Sequence, residues 1–170
     1  MNIYEYAMKV EKDGERYYRE LAESIDDASL KSILLMLADE EVKHYITFEK
    51  MHKHQEVLHY PSNNLLRHTL SMFRKRQHDN PHFYIPKSYI EAFESALRTE
   101  KSSYAFYLEK GKMIEDEAQK EAFLQIAEEE RQHVILLENL IEFITDPNAW
   151  LEHHEPKNLC ILEPTINEMK

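Results

Sequence analysis

Shifted against itself by 89 residues without gaps, the sequence matches itself: residues 7–51 fall on 96–140, and 15 of those 45 positions are identical. The identities include Ala7/Ala96, Glu11/Glu100, Tyr18/Tyr107, Ala38/Ala127, Glu40/Glu129, Glu41/Glu130 and His44/His133, more than shared composition produces. Two copies are too few for a solenoid, whose repeats bury their apolar faces on one another in series. They suffice for two similar halves related by a pseudo-twofold axis.

Each half reads as helix, short turn, helix. Only two Gly occur in 170 residues, and Glu, Lys, Leu and Ala are abundant, a composition that favours long helices over sheets. The first half predicts helices over about 2–25 and 28–58 with a break at Ile25-Asp26-Asp27, and the second over about 87–114 and 117–145 with a break at Glu115-Asp116. Asp27 is suited to cap the second helix, Ser88 or Pro86 marks the start of the third, and Pro147 stops the fourth. The chain is thus expected to be all-α and a single domain over 1–170: hairpin one 2–58, a crossover 59–86, hairpin two 87–145 and an irregular tail 146–170. The crossover holds a weakly amphipathic piece (Leu65, Leu66, Leu70, Met72, Phe73) and a basic run, Arg74-Lys75-Arg76. Its length allows it to cross the bundle, as a chain must when its second and third long helices are parallel neighbours. The tail, with Trp150, Pro156 and Pro164, is expected to pack irregularly on the bundle or on a second subunit.

Apolar residues three and four apart define the face each helix turns inward. Those faces read Tyr4, Ala7, Glu11, Gly14, Tyr18, Leu21, Ile25; then Leu34, Leu37, Glu41, His44, Phe48, Met51; then Phe93, Ala96, Glu100, Ser103, Tyr107, Ile114; then Phe123, Ile126, Glu130, His133, Leu137, Leu140, Ile144. Each is apolar at its ends and ionisable in the middle. In an antiparallel bundle the four midpoints meet at one level.

Four carboxylates buried together cost several kcal/mol each unless paired or protonated, and no Lys or Arg shares these faces. Two divalent cations would balance them, since four Glu carry four negative charges and two neutral His carry none. Oxygen and imidazole donors without thiolate suit Fe or Mn, and Zn less distinctively. The i, i+3 spacing of Glu41/His44 and Glu130/His133 puts carboxylate and imidazole on one face a turn apart. Two further pairs at that spacing, Glu49/His52 and Glu56/His59, lack a partner at the 89-residue offset and read as solvated-face coincidences.

A Glu on each of two helices with Glu-x-x-His on each of the other two is the di-iron bundle pattern. The segments AMKVEKDGERYYRELAES, LADEEVKHYITFEKM, ALRTEKSSYAFYLEK and IAEEERQHVILLENL resemble the two hairpins of the ferritin-like superfamily, and within it the rubrerythrin domain. The resemblance covers about residues 1–145. It implies two iron ions, with Mn or a mixed pair as the alternative, bridged by Glu41 and Glu130. Glu11 and Glu100 would be terminal carboxylates, and His44 and His133 terminal imidazoles. Tyr18 and Tyr107 would stand beside the centre as hydrogen-bond donors or radical traps, or as ordinary aromatic core. Two departures from the family stand out. The chain has no CxxC pair for a rubredoxin module, so electrons would come from a separate donor protein. Ser103 occupies the position where peroxidase-type rubrerythrins carry an additional Glu.

The resemblance implies an oxidoreductase reducing peroxide or dioxygen; the alternative is a ferroxidase or an iron-storage or delivery protein, although no ferritin-type fifth helix is evident. A metal-free scaffold is disfavoured because all six ligand positions are filled. Net charge −11 argues against nucleic acid as a partner. One cysteine, Cys160, with no apolar leader and no apolar run long enough to span a bilayer, fits a cytoplasmic protein without a membrane partner. A homodimer is expected by analogy with similar bundles, with His82, Phe83 and Tyr84 as a candidate interface.

Overall fold

The computed structural model describes residues 1–55, 64–80 and 85–154. The pair Glu56/His59, the stretch His82–Tyr84 and Cys160 lie outside those residues. Six helices and no strand occur among the described residues: α1 (Ile3–Ser24), α2 (Ala28–His52), α3 (Leu65–Asp79), α4 (Ser88–Met113), α5 (Glu117–Thr145) and α6 (Pro147–His153).

The helix ends follow from local chemistry. Asn2 caps α1 through a reciprocal pair with Glu5, each side chain accepting from the other residue's backbone N–H. Asp27 caps α2 by accepting from the N–H groups of Ser29 and Leu30, and its repeat counterpart Asp116 caps α5 by accepting from Gln119. α4 begins at Ser88 as expected, with no side-chain cap.

α2 stops at His52, short of the expected 58. His54 takes a left-handed backbone (φ 53°), the His54 N–H donates to Met51 O and the Gln55 N–H to Lys50 O. That pair of bonds is a Schellman ending, usually marked by Gly but here built on His.

The apolar faces form two clusters with the ionisable level between them. One holds Ala22, Ile25, Leu30, Leu34 and Leu37 of the first hairpin with Phe93, Ala96, Leu137, Leu140 and Phe143 of the second. The other holds Ala7, Phe48 and Met51 with Tyr107, Phe123 and Ile126. α1 and α5 run from the second cluster to the first, while α2 and α4 run the opposite way. The crossover therefore joins two parallel helices. They are diagonal rather than neighbouring: α2 packs on α5, whereas α1 lies beside α4, where the Tyr17 hydroxyl donates to Ala92 O at 2.8 Å and the Tyr6 and Phe106 rings are 5.0 Å apart.

Two segments outside the four long helices are helical as well. The crossover forms α3, which packs across α2 and α5, buries Leu65, Leu70 and Phe73, and pairs Arg76 with Asp27 at the α1–α2 turn. The tail, expected to be irregular from 146, opens with α6. Asp146 ends α5 and then accepts from the Ala149 N–H, and Pro147 takes the first helical position. Trp150 of α6 is fully buried, edge-on to Phe73 (5.5 Å) and Phe143 (5.3 Å), with its indole N–H donating to Asn139 Oδ1 at 3.0 Å. This aromatic cluster closes one end of the bundle. None of the described helices is long and apolar enough to cross a membrane.

Candidate metal centre

Glu11 of α1, Glu41 and His44 of α2, Glu100 of α4, and Glu130 and His133 of α5 all lie at one level of the bundle, each at most 4 % exposed. Their donor atoms fall into two groups of four. Glu11, Glu41, His44 and Glu130 each offer an atom within 4.8 Å of the others, and so do Glu41, Glu100, Glu130 and His133. The groups share Glu41 and Glu130, and the 89-residue repeat carries one group onto the other. All six residues singled out in the sequence are brought together. The pair Glu49/His52 is not: Glu49 pairs with Lys53 at 3.0 Å and His52 sits by Asn2 and Tyr4 at the bundle end.

Nδ1 is the inward nitrogen of both imidazoles. His44 Nδ1 is 2.9 Å from Glu130 Oε1 and 3.3 Å from Glu11 Oε2. His133 Nδ1 is 3.5 Å from Glu100 Oε2 and 3.6 Å from both Glu41 Oε1 and Glu130 Oε2. Despite that proximity both nitrogens, Glu11 Oε2, Glu41 Oε1 and both Glu130 oxygens make no hydrogen bond of proper geometry. Buried polar atoms are otherwise almost always satisfied. Six orphaned donor atoms in one buried layer, all oxygen or imidazole nitrogen, fit divalent metal of the iron or manganese type.

Without metal, protons have to do the neutralising. Burial, and then Glu130, Glu100 and Glu11, hold Glu41 well above the ordinary carboxylate range. Burial and Glu100 push Glu130 up to about 7. For Glu100 burial acts the other way, but the neighbouring Glu130 carboxyl, the charge on His133 and the Tyr18 hydroxyl outweigh it and bring the pKa to about 2. Burial likewise opposes a charge on His133, which Glu100 and Glu130 overcome, raising it to about 10. His44 is raised in the same way, against burial, by Glu11, Glu129 and Glu130.

Tyr18 and Tyr107 cross between the hairpins. The Tyr18 hydroxyl of α1 donates to Glu100 of α4, and the Tyr107 hydroxyl of α4 donates to Glu11 of α1. Burial first, and then the adjacent carboxylate, raises both phenols well above their ordinary pKa, so each is a neutral donor.

Glu129 and Gly14 contribute in ways the sequence did not reveal. The outer nitrogen of His44, Nε2, donates to Glu129 Oε2 at 2.8 Å, which leaves Nδ1 for the centre. Glu129 is held low against burial, chiefly by that bond. Its repeat counterpart Glu40 is taken instead by Lys43 at 2.6 Å, and Lys43 is replaced by Gln132 in the second half. A repeated Glu next to a seam Glu was the available signal, but the choice between Glu40 and Glu129 turns on that one exchange. Gly14 sits against Glu41: a Cβ there would lie 3.2 Å from Oε2 and 3.3 Å from Cδ of that carboxylate.

A sequence model of the rubrerythrin family matches residues 2–141 of the chain. No curated protein and no solved structure shows a match.

Proposed function

The chain belongs to the rubrerythrin family, and from that premise we propose that it is a non-haem di-iron, or iron/manganese, oxidoreductase that reduces peroxide or dioxygen with electrons from a separate donor protein. The observation that carries this reading is the pair of four-residue groups sharing Glu41 and Glu130, buried and with their donor atoms unpartnered.

Glu41 and Glu130, which belong to both groups, would serve both ions, with Glu11 and His44 completing one set of donors and Glu100 and His133 the other. Ferrous iron bound by these six residues would supply the two electrons that, with two protons, reduce hydrogen peroxide to two waters. The chain's own part is positioning. Tyr18 and Tyr107 fix the terminal carboxylates by O–H donation across the hairpins. Glu129 fixes the His44 tautomer. The apolar clusters on either side exclude bulk water and so strengthen every electrostatic interaction in the layer. The same reading takes the protein as cytoplasmic and homodimeric.

Elemental analysis tests the premise, with two metal ions per chain expected after anaerobic Fe(II) addition. The loaded protein is then expected to consume hydrogen peroxide and to turn over with an added reductant, and Glu130→Ala to abolish both. Wild-type peroxide consumption by that variant refutes the proposal. Oxidation of many Fe(II) per chain in a large closed assembly, read by size-exclusion chromatography, would establish the storage alternative instead.

A further inference from the structure

The two long faces of the bundle are not equally covered. On the α2–α5 side α3 lies across the helices, and Leu65 and Leu66 close over a space of only about 40 Å³ beside His133, Glu40 and Glu129. That volume admits about one water. On the α1–α4 side no element among the described residues covers the groove, and a cleft of about 430 Å³ runs from the surface down to Glu41 and Glu100. It exists because the two facing positions at its waist, which correspond across the 89-residue repeat, are Gly14 and Ser103.

The electrostatics of the cleft are one-sided. Arg16, the only basic residue lining it among the described residues, is paired with Asp13 at 2.8 Å, and both sit at the rim. That pair cancels, leaving Glu20 as the net charge at the mouth, above a floor formed by Glu41 and Glu100. Glu41 is 4 % exposed, and its Oε2 is the oxygen on the Gly14 side. A carboxylate at the mouth of a narrow cleft with low-dielectric walls concentrates cations and repels anions.

We propose that the α1–α4 cleft is the port through which divalent cations and small uncharged molecules reach the Glu/His layer, and that its lining turns anions away. The identity of the cation rests on the di-iron reading; the existence and charge preference of the port do not. Ligands arrive on the Glu41/Glu100 side, past Gly14 and Ser103, and not past the imidazoles, whose outer side α3 seals.

The test needs no metal. In a Cys160→Ser background, Ser103→Cys is treated with methanethiosulfonate reagents of similar size, one carrying trimethylammonium and one carrying sulfonate. The thiolate attacks the reagent's sulfenyl sulfur, forming a mixed disulfide and releasing methanesulfinate, and mass spectrometry follows the rate. Ser102→Cys, exposed one residue earlier on α4, supplies the reference rate for each reagent. After that correction the cationic reagent is expected to modify Ser103→Cys at least about tenfold faster than the anionic one, and Glu20→Lys to shrink the ratio. An unreactive Ser103→Cys, or equal corrected rates, overturns the proposal. If Ser103→Cys does not fold, Thr99→Cys at the rim takes its place, and equal corrected rates there overturn the proposal as well. Failure of the protein to hold iron would sink the proposed function and leave the port standing, whereas failure here would leave the metal centre intact.

Discussion

Replacing Glu130 with Gln should make the metal-free protein more stable while destroying its capacity for metal. Burial and the neighbouring Glu100 raise Glu130 from 4.5 to about 7, so the folded layer prefers this carboxyl protonated. A raised carboxylate pKa costs stability above its ordinary value, where the unfolded chain gives up the proton easily and the folded chain does not. The cost is near zero at about pH 4, grows between 4.5 and 7, and is fully present above 7. At about 1.4 kcal/mol per unit it comes to about 3 kcal/mol. Gln imitates the protonated form without titrating, so the metal-free Glu130→Gln variant should gain about that much at pH 8 and almost nothing at about pH 4.5. For a chain of this size the gain corresponds to a rise in Tm of about 6–12 °C. Urea unfolding in the presence of a chelator, followed by far-UV circular dichroism across that pH range, measures it. Adding Fe(II) should reverse the ranking, because metal binding stabilises only the wild type. A variant less stable than wild type at pH 8, or a difference that does not change with pH, refutes the argument that the layer strains against its own charge.

Glu129→Gln should leave the fold intact and weaken metal affinity about 10- to 100-fold, the usual cost of losing a carboxylate behind a histidine ligand, as measured by competition with a coloured chelator. Gly14→Ala should add up to about 1 kcal/mol to the metal-free helix. It should also lower metal affinity, because the new methyl presses on Glu41; unchanged affinity by the same competition assay would show that Glu41 moves freely. Trp150→Ala should cost about 3–5 kcal/mol in urea unfolding, since it empties a fully buried site between Phe73 and Phe143. Metal content should not change, and a loss under about 1 kcal/mol would mean that α6 is not part of the core.

The centre was legible because its grammar is periodic. Glu11, Glu41, His44, Glu100, Glu130 and His133 interrupt apolar faces and recur at one offset, and the structure places all six in one layer. The hairpin turns were legible for a related reason: Asp27 and Asp116 are strong local caps. The helices α3 and α6 were not. Short helices have little stability of their own and form here because Phe73 packs on Phe143, seventy residues on, and Trp150 packs on both. The end of α2 was hidden because a Schellman ending on His54 carries no Gly to announce it. Glu129 was hidden because a helix-face Glu and a histidine-orienting Glu look alike until the lysine that could neutralise it, Lys43 in one half and Gln132 in the other, is placed in space.

Neither four-residue group can be assembled from one hairpin: the first borrows Glu130 from the second half, and the second borrows Glu41 from the first. Two separate copies of one hairpin, meeting about a true twofold, would present the same four carboxylates and two imidazoles, so half this chain contains the complete design. Joining the copies covalently removes the requirement that they stay identical. This chain has used that freedom. One imidazole is braced by Glu129 while the matching Glu40 is bound to Lys43, and at the waist of the α1–α4 cleft one half supplies Gly14 and the other Ser103. An exact twofold dimer must make its two four-residue groups alike; fusion allows one group to differ from its twin in what braces its imidazole and in what stands beside it.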